Sequence, residues 1–188
     1  MIIRRLCAIA AVFSAAVFLS GCYVMSTSAP KTDGFDQRLA GRWAGLNDGK
    51  VAPGRFIYFV EGTQKKEPRM VLVGAEGVAV YDLRTIRSGK GGIFAAKTIM
   101  TDDKDDTPPG YVLGVYEIRG RNLWFNVFDS DKVGALVDAG KVKGTKSEGK
   151  YFDVTLTGSP EDVAAFIASP EARATVTGEG SILARRMP

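Results

Sequence analysis

Two adjoining stretches, Tyr111–Arg119 (YVLGVYEIR) and Asn122–Phe128 (NLWFNVF), decide the fold class, with Gly120 as the turn between them. In the second arm Leu123, Phe125 and Val127 fall on one face, and Asn122, Trp124 and Asn126 on the other. A strict period of two with one apolar face is the pattern of a half-buried antiparallel strand.

Moving upstream, the same period recurs between turn signals. Arg55–Glu61 (RFIYFVE) is aromatic and β-branched, and Arg69–Val73 (RMVLV), Val78–Ile86 and Ile93–Met100 follow it. The segment Thr101–Gly110 (TDDKDDTPPG) reads as an acidic loop closed by prolines. Further back, Phe35–Ala40 has room for one or two helical turns stopped by Gly41, and Trp43 opens the first strand.

Downstream the period changes. Ser130 is placed to cap a short helix from Asp131, with Val133, Leu136 and Val137 as its apolar stripe. Lys141–Lys150 reads as a loop or a frayed strand, and Tyr151–Thr157 as a strand. Ser159-Pro160-Glu161-Asp162 combines a capping serine, proline at the first helical position and acids at the positive end of the helix dipole. A last strand runs from Gly178 to Arg186. The expected fold is therefore α+β and β-rich, an antiparallel barrel or strongly curved sheet with two short helices near the C-terminal third. Its single globular domain spans residues 35–188.

Chemistry is limited by composition. The chain holds no histidine and only two cysteines, Cys7 and Cys22. Histidine-based general bases, Ser-His-Asp triads and His-ligated zinc are excluded together. Among acids, Glu117 and Asp153 lie on expected strands, and two such groups at a fixed separation are what a glycosidase needs. The cluster Asp102, Asp103, Asp105 and Asp106 has the oxygen donors of a Ca²⁺ loop, but lacks the EF-hand order of acids, the central glycine and the closing glutamate. It reads as a solvated loop, and no metal, cofactor or catalytic residue is assigned.

The N-terminus decides the compartment. Arg4 and Arg5 form a basic head, and Leu6–Leu19 is apolar apart from Ser14. This is the anatomy of a secretory signal. The run ends in Leu19-Ser20-Gly21-Cys22, which resembles the lipobox of bacterial lipoproteins. That resemblance implies cleavage between Gly21 and Cys22, and a diacylglycerol thioether on Cys22. It implies a signal peptide at 1–21 and palmitate-type acyl chains holding the protein to membrane lipid. Two or more acyl chains anchor stably where one does not. Residues 22–34 then read as a flexible tether spanning roughly 20 Å. Removing Arg4 and Arg5 takes the formal charge from +4 to about +2, which offers nothing to nucleic acid. Tyr23 follows the cysteine where lipoproteins kept at the inner membrane often have aspartate. This implies an outer-membrane anchor facing the periplasm.

Two further resemblances bear on the domain. Gly41-Arg42-Trp43 is similar to the G-x-W that opens lipocalin barrels, in which the tryptophan plugs the closed end beneath an arginine from near the C-terminus. Arg185 or Arg186 would take that part here. The T-D-Y signature is absent, and the helix near 131–139 departs from the family; a buried tryptophan anchoring an ordinary core is the alternative. Asp131–Gly144 (DKVGALVDAGKVKG) with Tyr151–Thr157 and Ser159-Pro160-Glu161 resembles a pattern in uncharacterised proteobacterial lipoproteins, one that carries no known activity.

The functional expectation is a non-catalytic domain that binds an apolar or amphipathic ligand or an envelope component. Phe56, Tyr58, Tyr116 and Trp124 are the candidate cavity wall. The alternative is a structural or assembly lipoprotein docking on a larger envelope complex. An enclosed apolar pocket marks the first and an exposed apolar patch the second. Lys141, Lys143, Lys146 and Lys150, with Arg185 and Arg186, are candidates for leaning on anionic headgroups.

Overall fold

A computed structural model describes residues 24–32, 34–47, 49–61, 67–75, 77–101, 110–147, 154–177 and 182–188. Eight strands close into an antiparallel ring: β2 (Gly41–Asn47), β3 (Lys50–Glu61), β4 (Pro68–Gly74), β5 (Gly77–Ser88), β6 (Gly91–Thr101), β7 (Tyr111–Arg119), β8 (Asn122–Val127) and β11 (Ile182–Arg186). Each pairs with the next in sequence. β11 then bridges β8 and β2, through Ile182↔Phe125 on one side and Arg186↔Trp43 on the other. The seam β6–β7 runs from Gly91↔Glu117 to Ala96↔Val112. Of the two expected alternatives, the barrel is the one formed.

The interior is built from one parity of every strand. Trp43, Ile57, Phe59, Met70, Leu83, Phe94, Ala96, Tyr116, Leu123, Phe125 and Ala184 are all buried there, with Leu39 below them. Phe125 stands edge-on to Phe94 at 5.2 Å and tilted against Phe59 at 6.1 Å. An eight-stranded barrel is just wide enough to be filled by its side chains or to hold one small ligand. Here rings occupy the middle of it. Gly114 makes room for this: a Cβ on it would sit 2.5 Å from Phe94 Cζ and 2.6 Å from the Asn126 carbonyl.

A second core lies outside the ring. β1 (Val24–Ser26), β10 (Val154–Leu156) and β9 (Gly144–Lys146) extend the sheet from the start of β7. Three helices, α1 (Ser130–Asp138), α2 (Pro160–Ala168) and α3 (Pro170–Ala174), complete that layer. Val24, Val154, Leu156, Val133, Val163, Ile167 and Ala172 bury Ile93, Ala95 and Leu113 on the outer wall of β6 and β7. The helix start at Ser159 is a full capping box with Asp162. Helix α1 is capped by Asp129 instead of Ser130: its carboxylate accepts from the Lys132 N–H at 3.1 Å, while Ser130 is buried.

Two expectations change. Val24–Ser26, within the stretch read as a flexible tether, are part of the fold: Val24 pairs with Val154 in parallel, Met25 pairs with Val112, and both are buried. Tether composition does not prevent Val24 and Met25 from burying apolar side chains once partner edges exist. The run Val154–Leu156 also leaves the barrel and faces the helices. Its neighbours Tyr151, Phe152 and Asp153 lie outside the described residues, as do residues 1–23 with Cys7, Gly21 and Cys22.

Candidate functional site

The lipocalin-like reading predicts an arginine over Trp43 at one end of the barrel. The Trp43 indole N–H donates to the Leu39 carbonyl at 2.8 Å, and the ring is fully buried. Arg186 lies over that ring with its Cζ 4.6 Å from the centroid, and its guanidinium also donates to the Arg38 carbonyl. Of the two expected arginines it is Arg186 that covers the tryptophan. Arg185, of opposite parity, faces outward.

Beside them lies a polar clip that no sequence pattern announced. Asp36, 6 % exposed, accepts from the Tyr116 hydroxyl at 2.7 Å and from Arg38 Nη2 at 2.6 Å and Nε at 3.0 Å. Arg38 also donates to the carbonyls of Gly89 and Gly91, tying the β5–β6 turn to the barrel floor. Burial pushes the Asp36 carboxyl up, but the hydrogen bonds from Arg38 and Tyr116 outweigh it and hold the group below its ordinary range. Burial, together with the bond to Asp36, pushes the Tyr116 hydroxyl well above a free phenol. The polar groups of the clip answer one another, so Asp36, Arg38 and Tyr116 act together as a structural unit at this end of the barrel.

Of the candidate cavity wall, only Tyr116 points inward, and its hydroxyl is committed to the clip. Phe56 and Tyr58 flank the inward Ile57, and Trp124 sits between the inward Leu123 and Phe125, so all three face outward. This corrects the cavity assignment for them. β3 is apolar at successive positions, so alternation alone could not say which parity enters the barrel. The Trp124 ring lies under Arg119, whose Cζ is 5.2 Å from its centroid.

The outward residues assemble into a different feature. Cross-strand register aligns Phe56, Val73 and Val78 in one row, and Tyr58, Val71, Val80 and Met100 in the next. Met100 is 55 % exposed, and beside it Ile99, the extra residue of a bulge, is 53 % exposed. The other six are half-buried against one another. Phe56 and Tyr58 stand 6.2 Å apart. The outer face of β3–β5 is thus a contiguous apolar panel. Arg42 rims it, its guanidinium 5.8 Å over the Phe56 ring, and Lys97 lies on the opposite rim. Below it Asp82 binds Arg69 at 3.0 Å, Arg84 at 3.2 Å and the Tyr111 hydroxyl at 3.0 Å, a polar border.

The remaining candidates are dispersed. Glu117 is on the outer wall, bonded to Arg119 at 2.6 Å, which holds its carboxyl below the usual range. Asp102–Asp106, Lys150 and Asp153 lie outside the described residues. Lys143 and Lys146 are engaged by Asp162 and Asp138 at 3.2 and 2.6 Å, so the helix layer partly neutralises the basic run expected to lean on lipid. Among the described residues no helix is long and apolar enough to cross a membrane. No family model matches the chain, and no curated protein and no solved structure matches it.

Proposed function

We propose that this chain is a lipid-anchored envelope protein that works by docking, without catalysis. Cys22 carries the acyl chains after cleavage behind Gly21, with the outer membrane, facing the periplasm, as the favoured site. The single observation behind the docking reading is the contrast between the two faces of β3–β5. The inward parity is filled with packed rings, while the outward parity displays the two apolar rows from Phe56 to Met100. A contiguous exposed apolar patch rimmed by polar groups is the mark of an interaction surface. The occupant is a protein whose own apolar face carries acidic groups at its edge, because Arg42 and Lys97 on the rim have no carboxylate within ion-pair distance among the described residues. Such rim charges set partner choice and encounter rate more than they set affinity.

A photo-crosslinking residue at position 71, in intact cells, tests this. The expected product is an adduct with a different protein, lost when Arg42→Glu and Lys97→Glu are introduced together. A crosslinker in place of Glu171, on the helical layer, should not give that adduct. Adducts only to lipid or to a second copy of this chain overturn the heterologous partner, and an adduct indifferent to both charge reversals overturns the rim.

A further inference from the structure

We infer that the barrel has a fixed membrane-facing wall, the outer surface of β8 and β11 with the lower part of β7, and that this wall rests on anionic lipid headgroups. The inference rests on acylation of Cys22, and it concerns what the structure then imposes. β7 has β6 on one edge along Val112–Glu117. On its other edge β8 covers Gly114–Arg119, and β1 covers Tyr111–Val112. β1 therefore continues the lane of β8. Val24 is buried in that lane, and only two peptide units separate it from Cys22. Two residues span at most about 7 Å. The acylated sulfur is thereby held close to the β8 side of the ring.

β8 and β4 are four strands apart in either direction around the eight. Strands 4.8 Å apart and tilted by about 40° make an eight-stranded barrel roughly 16 Å across its backbone. A reach of 7 Å cannot bring the apolar panel, centred on β4, down to the same bilayer. The panel faces away from the membrane. Of the two surfaces that flank β1, the β10 side with its helices has Lys143 and Lys146 already paired with Asp162 and Asp138, and the β8 wall is the one whose cations are left to meet headgroups.

The chemistry of that wall fits headgroups. One cross-strand row runs Ala44, Arg185, Asn122, Arg119. Arg121 stands at the hairpin below, and the three arginines are exposed. The guanidinium of Arg185 reaches the Gly49 carbonyl at 3.5 Å, and that of Arg121 the Arg186 carbonyl at 3.1 Å. Neither makes an ion pair among the described residues. Among the described residues the carboxylate on this face is Glu117, held by Arg119. Trp124 and Leu183, cross-strand partners and both half-buried, supply apolar surface between the charges. Each basic side chain at an anionic surface strengthens partition by about fivefold; Arg119 is offset by Glu117, so the unpaired Arg121 and Arg185 together give about twenty-five-fold.

The test uses acylated full-length protein in vesicles of phosphatidylcholine with phosphatidylglycerol. A nitroxide is attached at Asn122→Cys, on the wall, or at Val71→Cys, on the panel, since the Cys22 sulfur is blocked. The expected result is that the label at 122 is shielded from an aqueous nickel chelate and the label at 71 is not. Shielding should weaken in pure phosphatidylcholine, and also when Arg119, Arg121 and Arg185 are all changed to Gln. Equal accessibility at both positions, or shielding at 71 instead, overturns the assignment. Mass spectrometry of the same sample separates the premises. An unmodified Cys22 ends the anchor and the inference with it, whereas an acylated Cys22 with no shielding ends the inference alone.

Discussion

Replacing Asp36 with Asn removes one charge from the barrel floor and keeps the side chain's shape. The carboxylate is nearly buried and receives hydrogen bonds from Arg38 and Tyr116, two groups far apart in sequence. Asparagine offers one acceptor and must turn an amide toward at least one of those donors. A hydrogen bond to a charged group is worth about 1.5–3 kcal/mol. Removing one partner of a buried charged pair typically costs about 3–5 kcal/mol, since the other is left uncompensated. Arg38 is 31 % exposed at its side chain and keeps its carbonyl contacts, so the lower end, about 3 kcal/mol, is expected.

Urea unfolding followed by the fluorescence of Trp43 and Trp124 measures it. The pH dependence supplies an independent sign. The folded-state pKa of Asp36 is depressed, so its contribution is fully present above the unfolded value, near 3.8, and is lost as pH falls through the folded value. The difference between parent and Asp36→Asn should therefore be constant at neutral pH and shrink below about pH 4. Tyr116→Phe should lose about 1–2 kcal/mol, and the double variant less than the sum of the singles. A loss under about 0.5 kcal/mol at neutral pH, or a gap that widens in acid, would refute the clip as a stabilising unit.

Two other perturbations follow from the same packing. A Cβ at Gly91 would lie 2.0 Å from the Tyr116 carbonyl oxygen and 2.9 Å from the Glu117 Cα, both backbone, so Gly91→Ala should force the β6–β7 seam apart and cost at least about 2 kcal/mol in thermal or urea unfolding. Arg186→Gln removes the cation above Trp43, and should cost about 1–2 kcal/mol and shift tryptophan emission to the red; an unchanged spectrum and stability would refute the cap.

Much of the local structure was legible before the fold was known. The hairpin about Gly120, the strands on either side of it and the Ser159 capping box were written in period and punctuation, signals carried within a few residues. The G-x-W resemblance pointed to an arginine above Trp43, and Arg186 stands there. The Asp36–Tyr116 clip had no such signal, because its members lie far apart and an aspartate before a short turn looks like any loop acid. The place of Val24 and Met25 was equally silent, since three residues of strand are defined only by the edges they pair with.

The sequence by itself determined which residues alternate, where the chain turns, and what chemistry a histidine-free protein must do without. It could not choose an inside for strands such as Phe56–Val60 or Met70–Val73, where both parities are apolar and periodicity carries no sign. Tertiary structure decided that. Ring closure through β11 places Trp43 and its row within, and parity then forces Phe56, Tyr58 and Trp124 outward, because neighbouring side chains of a strand cannot share a face.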